Sequence, residues 1–340
     1  MRSGTPRLLR VLLVVLLTGM LGKSLASAAA MPSLREPAPT PSMLRAVAFD
    51  PDVVMEGDLP GGKDYTAYRV GYRVAGLNLH ALVAVPTSPR PAAGYPVLIA
   101  NHGTHPNPPR YGFTAEGVDS RPGDYYRPVP ALYAAAGFLV VMPDYRGHNV
   151  SEGVEYTGGM LSAAYYAEDV LALLAGLDRL PEADSRNVFL WGHSLGGEVG
   201  LRVLLATGRI RAASLWATVG GDPWERALLR SRAPESGTPP PALALLEEEL
   251  AAQPSPYDAE ASDPMRYLDG ISTPVLLHHA QFDPEVGVEA SLRLAGALSR
   301  HHKPYALYTY ASHDHFFASP ERELAVRRDV DFFRAHMAPQ

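Results

Sequence analysis

The segment Gly192-His193-Ser194-Leu195-Gly196, followed by Gly197, satisfies the spacing G-x-S-x-G. A short apolar run, 188–191, ends just before it, and a helical pattern over 195–206 begins inside it. A strand–turn–helix of this kind holds the serine in a strained backbone geometry, with its side chain raised above the sheet. Ser194 would also stand at a helix N-terminus, where the partial positive charge favours a developing anion. The alternative is a turn whose serine only caps the helix.

A serine hydroxyl is a weak nucleophile until a base takes its proton. In the chain order serine, acid, histidine, the partners come from later loops. Asp283, in His279-Ala280-Gln281-Phe282-Asp283-Pro284, follows an apolar run at 274–279. His315, in Ser312-His313-Asp314-His315-Phe316-Phe317, follows a second run at 305–310. His315 is the expected base and Asp283 its orienting acid. His313 is a rival base and Asp222, after the 213–217 run, a rival acid. Asp314 reads as a turn residue.

An oxyanion needs two donors. The Leu195 N–H is one, and the loop Asn101-His102-Gly103-Thr104-His105 should supply the other, with Thr104 N–H as the candidate. Here His102 reads as a brace. The histidines at 278, 279, 301, 302, 313 and 315 show no metal-ligand spacing such as H-E-x-x-H. No metal is expected. No phosphate loop or dinucleotide fingerprint is present, and no cofactor is implied.

These residues need a scaffold that brings several loops to one edge. Alternating patterns at 65–74 and 77–85, separated by Gly76, predict a hairpin. Continuous apolar runs at 95–100, 138–142, 188–191, 213–217 and 274–279 predict strands buried on both faces. Helical stripes lie between them at 128–136, 163–180, 195–206, 288–299 and 321–336. Strands alternating with helices imply a mostly parallel sheet covered on both sides, an α/β class. Two Pro-rich insertions break the alternation, at 104–130 and 221–270. The second holds a short amphipathic helix near 242–252, with Leu243, Leu246 and Leu250 on one side and Glu247, Glu248 and Glu249 on the other. It is expected to be a cap over the site.

The chain has 340 residues, 30 basic and 36 acidic side chains and no Cys. Absence of Cys excludes a disulfide scaffold, a Cys-ligated zinc and a thiol nucleophile. Arg2, Arg7 and Arg10 precede an apolar run at 11–22 and the small residues Ala26-Ser27-Ala28. That is the pattern of a secretory signal peptide over 1–28, too short for a stable membrane span. The expected organisation is signal 1–28, Pro-rich leader 29–45 and one catalytic domain 46–340, exported to the periplasm or medium. Without 1–28, which carry Arg2, Arg7, Arg10 and Lys23, 26 basic residues face 36 acidic ones. A balance that negative argues against nucleic acid as a partner. Oligomeric state is not readable.

Taken together, these motifs resemble the α/β-hydrolase superfamily, and within it the catalytic domain of the prolyl-oligopeptidase family and its esterase-like relatives. Tyr95-Pro96-Val97-Leu98-Ile99 leading to His102-Gly103 is similar to that family's oxyanion strand. Pro143-Asp144-Tyr145-Arg146-Gly147-His148 with Ser151-Glu152-Gly153 is similar to its fourth-strand signature. Asp169-Val170, Asp184 and Arg186 stand at the family's usual distance before the elbow, and Phe282-Asp283 and His315-Phe316 are similar to its acid and base motifs. The resemblance runs from about Tyr65 to Ala335. It implies an α/β-hydrolase fold and an acyl-enzyme serine hydrolase acting on a small ester or short peptide.

Departures temper the peptidase reading. The stretch between residue 29 and Tyr65 is too short for the β-propeller of the best-known peptidases. Leu195 stands where they often carry Tyr, and Asp314 precedes His315 where Gly is commoner. A carboxylesterase without peptidase activity is therefore the alternative, and a non-catalytic binding protein of the same fold is a third reading. A lipase needs a larger apolar lid than the Leu243–Leu250 stripe. Ser194 argues against dehalogenase chemistry, which uses a carboxylate at the elbow.

Overall fold

The computed structural model describes residues 37–339 except 50–51, 105–125, 127, 158, 221, 225–226, 228–240, 254–257 and 259. The expected signal at 1–28 lies outside the described residues, as does most of the 104–130 insertion. Nine strands form one sheet: β1 (Val54–Leu59), β2 (Tyr65–Val74), β3 (Leu77–Pro86), β4 (Tyr95–Asn101), β5 (Leu139–Asp144), β6 (Ala183–His193), β7 (Ile210–Trp216), β8 (Val275–Ala280) and β9 (Tyr305–Tyr310). Their order is β1-β2-β3-β5-β4-β6-β7-β8-β9. The first three are antiparallel, and β5, β4 and β6 through β9 run parallel. This is the mostly parallel sheet that the buried apolar runs predict.

Alternate residues of the parallel strands feed two cores. Val97, Ile99, Leu190, Leu215 and Leu277 pack on α1 (Pro41–Ala46), α3 (Ser162–Ala175), α4 (Leu195–Ala206), α5 (Pro241–Ala252) and α6 (Glu289–Arg300). Leu98, Ala100, Phe189, Trp191 and Trp216 face the other way, onto α2 (Val129–Ala134) and α7 (Glu321–Ala335). Among the described residues no helix is long and apolar enough to cross a membrane.

The order reverses at β4. The chain passes from β4 to β5 on one side and returns with β6 on the other. Such a switch point opens a crevice at the C-terminal ends of the strands. The pairing Asn101↔Gly192 puts the loop after β4 beside the turn after β6, so the two predicted halves of the site meet there.

Several expectations need correction. The leader expected over 29–45 is part of the fold from Pro37 onward. Ala38 and Leu44 are buried, Thr40 caps α1 through Met43 N–H, and Arg45 Nε donates to Leu205 O at 2.7 Å. The α3 helix stops at Ala175, at Gly176, and a 3₁₀ turn (Leu177–Arg179) completes the stretch expected to be helical to 180.

In α5, Glu249 is not on the solvent side. It is 3% exposed and accepts the N–H groups of Met160 (2.7 Å) and Leu161 (3.0 Å) at the start of α3. Position 249 lies three residues beyond buried Leu246, hence on the same helix face. A carboxylate there satisfies two amides that the helix leaves without acceptors, and it complements the dipole. So the described part of the expected cap packs as a side layer on α3 and α4. None of the described residues from 241 to 270 lines the cavity that holds Ser194.

Candidate active site

The turn between β6 and α4 holds Ser194 at φ 55°, ψ −121°, the left-handed side of the map that a non-glycine residue avoids. What over-determines it is close packing. Ser194 N–H donates to Trp216 O at 2.9 Å. A Cβ on Gly196 would collide with the carbonyl oxygens of Asn101 and His102. The glycine lets α4 sit directly against the end of β4. Ser194 makes no capping bond to α4, so its hydroxyl is not spent on the helix.

His315 and Asp283 come together from the ends of β9 and β8. His315 Nδ1 and Asp283 Oδ2 are 2.6 Å apart, and both side chains are almost fully buried. A carboxylate only accepts, so Nδ1 carries the proton and Nε2 presents a lone pair. Asp283 Oδ1 accepts from Glu285 N–H (2.8 Å) and Val286 N–H (2.9 Å). Burial alone would raise the Asp283 pKa. Hydrogen bonds from His279 and His315 and the Val286 N–H outweigh that and hold it well below the usual range.

The rivals lie elsewhere. His313 is exposed and stacks on Phe282, with ring centroids 4.7 Å apart. Asp222 accepts from Trp224 N–H at 2.9 Å and lines a neighbouring cavity rather than that of Ser194. Asp314 closes a turn onto Phe316 N–H. The loop carrying His315 rests on Trp216, whose ring lies 5.9 Å from Phe316 and 5.0 Å from Phe317. Trp216 is itself held by buried Asp329, which also receives Ser214 and Tyr133.

Ser194, Leu195, His315 and Thr104 line one cavity of about 390 Å³. Leu195 opens α4, so its N–H has no acceptor within the helix. Gly103 allows the β4 loop to come this close: a Cβ there would strike the Tyr126 hydroxyl and lie 2.9 Å from Ser194 Cβ. His102 Nδ1 donates to Gly103 O at 2.9 Å, and Tyr145 OH donates to His102 O at 3.1 Å. Tyr145 is placed by its neighbour Arg146, whose guanidinium grips buried Asp169 (2.5 Å) and Glu168 (2.7 Å).

His148 packs 5.0 Å from the His102 ring, and burial pushes its pKa down to about 4. The unfolded chain then binds a proton between pH 6.5 and 4 that the folded chain refuses. Its contribution to stability is whole above 6.5 and is lost as the pH falls toward 4, on the order of 3 kcal/mol. Buried Asp144 acts in the opposite sense, because burial raises its pKa and favours the folded state in acid. Comparison with His148→Phe isolates the histidine. Denaturant unfolding from pH 7 to 4 should show the native chain losing about that much more than the variant. Parallel curves would refute the assignment.

Sequence reasoning missed five residues at this site. Glu285, Glu289 and Arg293 line the cavity, and Glu285 Oε2 stands 4.0 Å from His315 Nε2. Their four-residue spacing leading into α6 was a readable signal. Tyr126 also lines the cavity and His193 lies beneath it. Neither carries a signal by spacing, since their contacts are tertiary.

A family model described as the prolyl oligopeptidase family matches residues 125–340. The uncharacterized peptidase YtmA of Bacillus subtilis (strain 168) is 26% identical over 268 residues, 77% of this chain and 90% of that protein. Among solved structures, dipeptidyl peptidase 4 of Porphyromonas gingivalis superposes with TM-score 0.60 at 19% identity, over 81% of this chain and 36% of its own. An acylaminoacyl peptidase of Pyrococcus horikoshii gives 0.63 at 18%, over 82% and 42%. Acetyl xylan esterase 1 of Thermoanaerobacterium sp. JW/SL YS485 gives 0.58 at 16%, over 83% and 88%. The chain thus spans well under half of the two peptidases and most of the esterase. At these identities the likeness is one of fold, the α/β-hydrolase fold.

Proposed function

The chain belongs to the prolyl oligopeptidase family and is a serine hydrolase, and on that premise we propose that Ser194, His315 and Asp283 form its acyl-transfer triad. The observation that carries this is the 2.6 Å bond from His315 Nδ1 to buried Asp283, with His315 lining the same cavity as the strained Ser194. His315 Nε2 takes the Ser194 proton as Oγ attacks the substrate carbonyl. The N–H groups of Leu195 and Thr104 receive the oxyanion. His315 then returns the proton to the leaving group, and water repeats the cycle on the acyl-enzyme.

The proposed substrate is a small molecule with a carboxylic ester or a peptide-type bond. Glu285 and Glu289 favour the second, because two carboxylates at the cavity wall suit a free ammonium terminus. A carboxylesterase without peptidase activity is the second reading, favoured by the match along 88% of the acetyl xylan esterase. Parallel assays of p-nitrophenyl esters and aminoacyl p-nitroanilides separate them. The account expects ester turnover, and turnover of anilides with a free amine ahead of N-acylated ones. Anilide inertness leaves the esterase reading, and inertness toward both classes sinks the triad. Export is proposed from the basic, apolar and small-residue order of 1–28. Protein recovered from the periplasm or medium should then begin near residue 29, and a retained Met1 would exclude cleavage.

A further inference from the structure

A line of hydrogen bonds crosses beneath the cavity, and the chemistry of its ends sets the direction of each bond. The carbonyl oxygen of His315 only accepts, so His193 Nε2, 2.9 Å away, is the donor. The His193 ring is wholly buried, and desolvation, with the neighbouring His315, keeps it neutral. A neutral ring with its proton on Nε2 offers Nδ1 as an acceptor. The Tyr126 hydroxyl, 2.7 Å from Nδ1, therefore donates to it. The same hydroxyl oxygen accepts the Gly103 N–H at 2.8 Å. Tyr126 is 2% exposed and His315 4%.

The two ends of this line are the two moving parts of the proposed chemistry. At one end Gly103 N–H belongs to the peptide plane before the oxyanion loop's turn. The next plane, which carries Thr104 N–H, is held by His102 Nδ1 on the Gly103 carbonyl. A trans peptide points its C=O and N–H in opposite directions, so pinning the oxygen aims the Thr104 N–H. At the other end His193 holds the backbone of the proposed base, with its ring centroid 4.4 Å from the His315 ring. His193 itself immediately precedes Ser194.

We propose that Tyr126 and His193 are positioning residues, a buried relay that sets the oxyanion loop, the nucleophile elbow and the base in one mutual register. The proposal rests on the serine-hydrolase reading. In this role both act through the loop and the base. Their loss displaces a donor rather than deleting it, so the cost is smaller than removal of an oxyanion donor, which is about 10²–10³ in kcat.

The test compares Tyr126→Phe, His193→Gln and the double variant with the unaltered chain on a p-nitrophenyl ester. Each single variant should lose roughly 10–100-fold in kcat with KM changed less than about threefold, because the interaction is made in the transition state. The double variant should be no worse than the poorer single by more than about threefold, since both break one line. Affinity for a trifluoromethyl ketone should fall with kcat/KM. Amide exchange at Gly103 should quicken in Tyr126→Phe.

Multiplying losses, or a Tyr126→Phe enzyme within twofold of the unaltered chain, would overturn the relay. If Tyr126→Phe does not fold, His193→Gln carries the same expected split. If the unaltered chain cleaves no ester, that failure belongs to the functional reading. Gly103 exchange then still decides the relay, and unchanged exchange refutes it.

Discussion

Ser194→Ala is expected to lower kcat by roughly 10⁴–10⁶, to the residual rate that oxyanion donors and binding sustain without a nucleophile. The same change should leave stability almost untouched. Ser194 makes no capping bond to α4, so removal of its hydroxyl orphans no helix amide. Alanine inherits the same backbone penalty at φ 55°. Ser194→Gly relieves it, because glycine has no Cβ to clash, and should be more stable than either by about 1–3 kcal/mol. The elbow is thus a place where the fold gives up stability to present one side chain. Chemical denaturation beside turnover separates the two readings of this serine. A capping residue would lose stability and keep activity, and the proposed nucleophile does the reverse.

Asp283→Asn should cost roughly 10⁴ in kcat while the protein still folds. The asparagine carbonyl can keep the bonds from Glu285 and Val286 N–H, which lie at 2.8 and 2.9 Å. Its NH₂ then faces His315 Nδ1, and two donors cannot meet. The imidazole must shift its proton to Nε2 to accept at Nδ1, and the atom that should receive the serine proton is no longer basic. The corresponding change at Asp222 should alter kcat less than about threefold, as should His313→Asn, because neither group reaches the cavity of Ser194. A Asp283→Asn enzyme within tenfold of the original would remove Asp283 from the mechanism. The depressed pKa of Asp283 also gives a pH signature. Its contribution to stability is present above the unfolded carboxylate value and is lost as the pH falls below about 4. The asparagine variant lacks that loss.

What the sequence made legible is what repeats or sits at a fixed spacing. Strands buried on both faces announce themselves as apolar runs, so β4 to β8 were placed before their neighbours were known. The elbow was legible because a strand, two glycines and a helix had to coincide there. β1 was not: nearly all of it is exposed on an edge, and a strand with no buried face has no alternation to read. α1 escaped for a related reason, being six residues held by buried Pro41 and Leu44, a cap and one arginine bond, too few for a period to show.

Charge alone assigns Glu249 to the solvent side, yet it is buried against the start of α3. Its helix position alone, three residues from Leu246, pointed inward. Tyr126 and His193 were beyond reach. Their bonds join residues 67 and 122 apart in sequence, and only the tertiary fold, which gathers the segment before α2, the end of β6 and the loop after β9 at one edge of the sheet, brings them together. The spacing of Glu285, Glu289 and Arg293 was readable, yet nothing in it said which face of α6 would border the cavity.

The central claim is that Ser194 is the group acylated during turnover. Incubation of the protein with a fluorophosphonate, followed by digestion and peptide mass measurement, tests it most directly. The account predicts one adduct, on Ser194, absent in Ser194→Ala, with turnover lost in proportion to labelling. An unlabelled chain that still turns over ester, or an adduct on another residue with turnover intact, would contradict it.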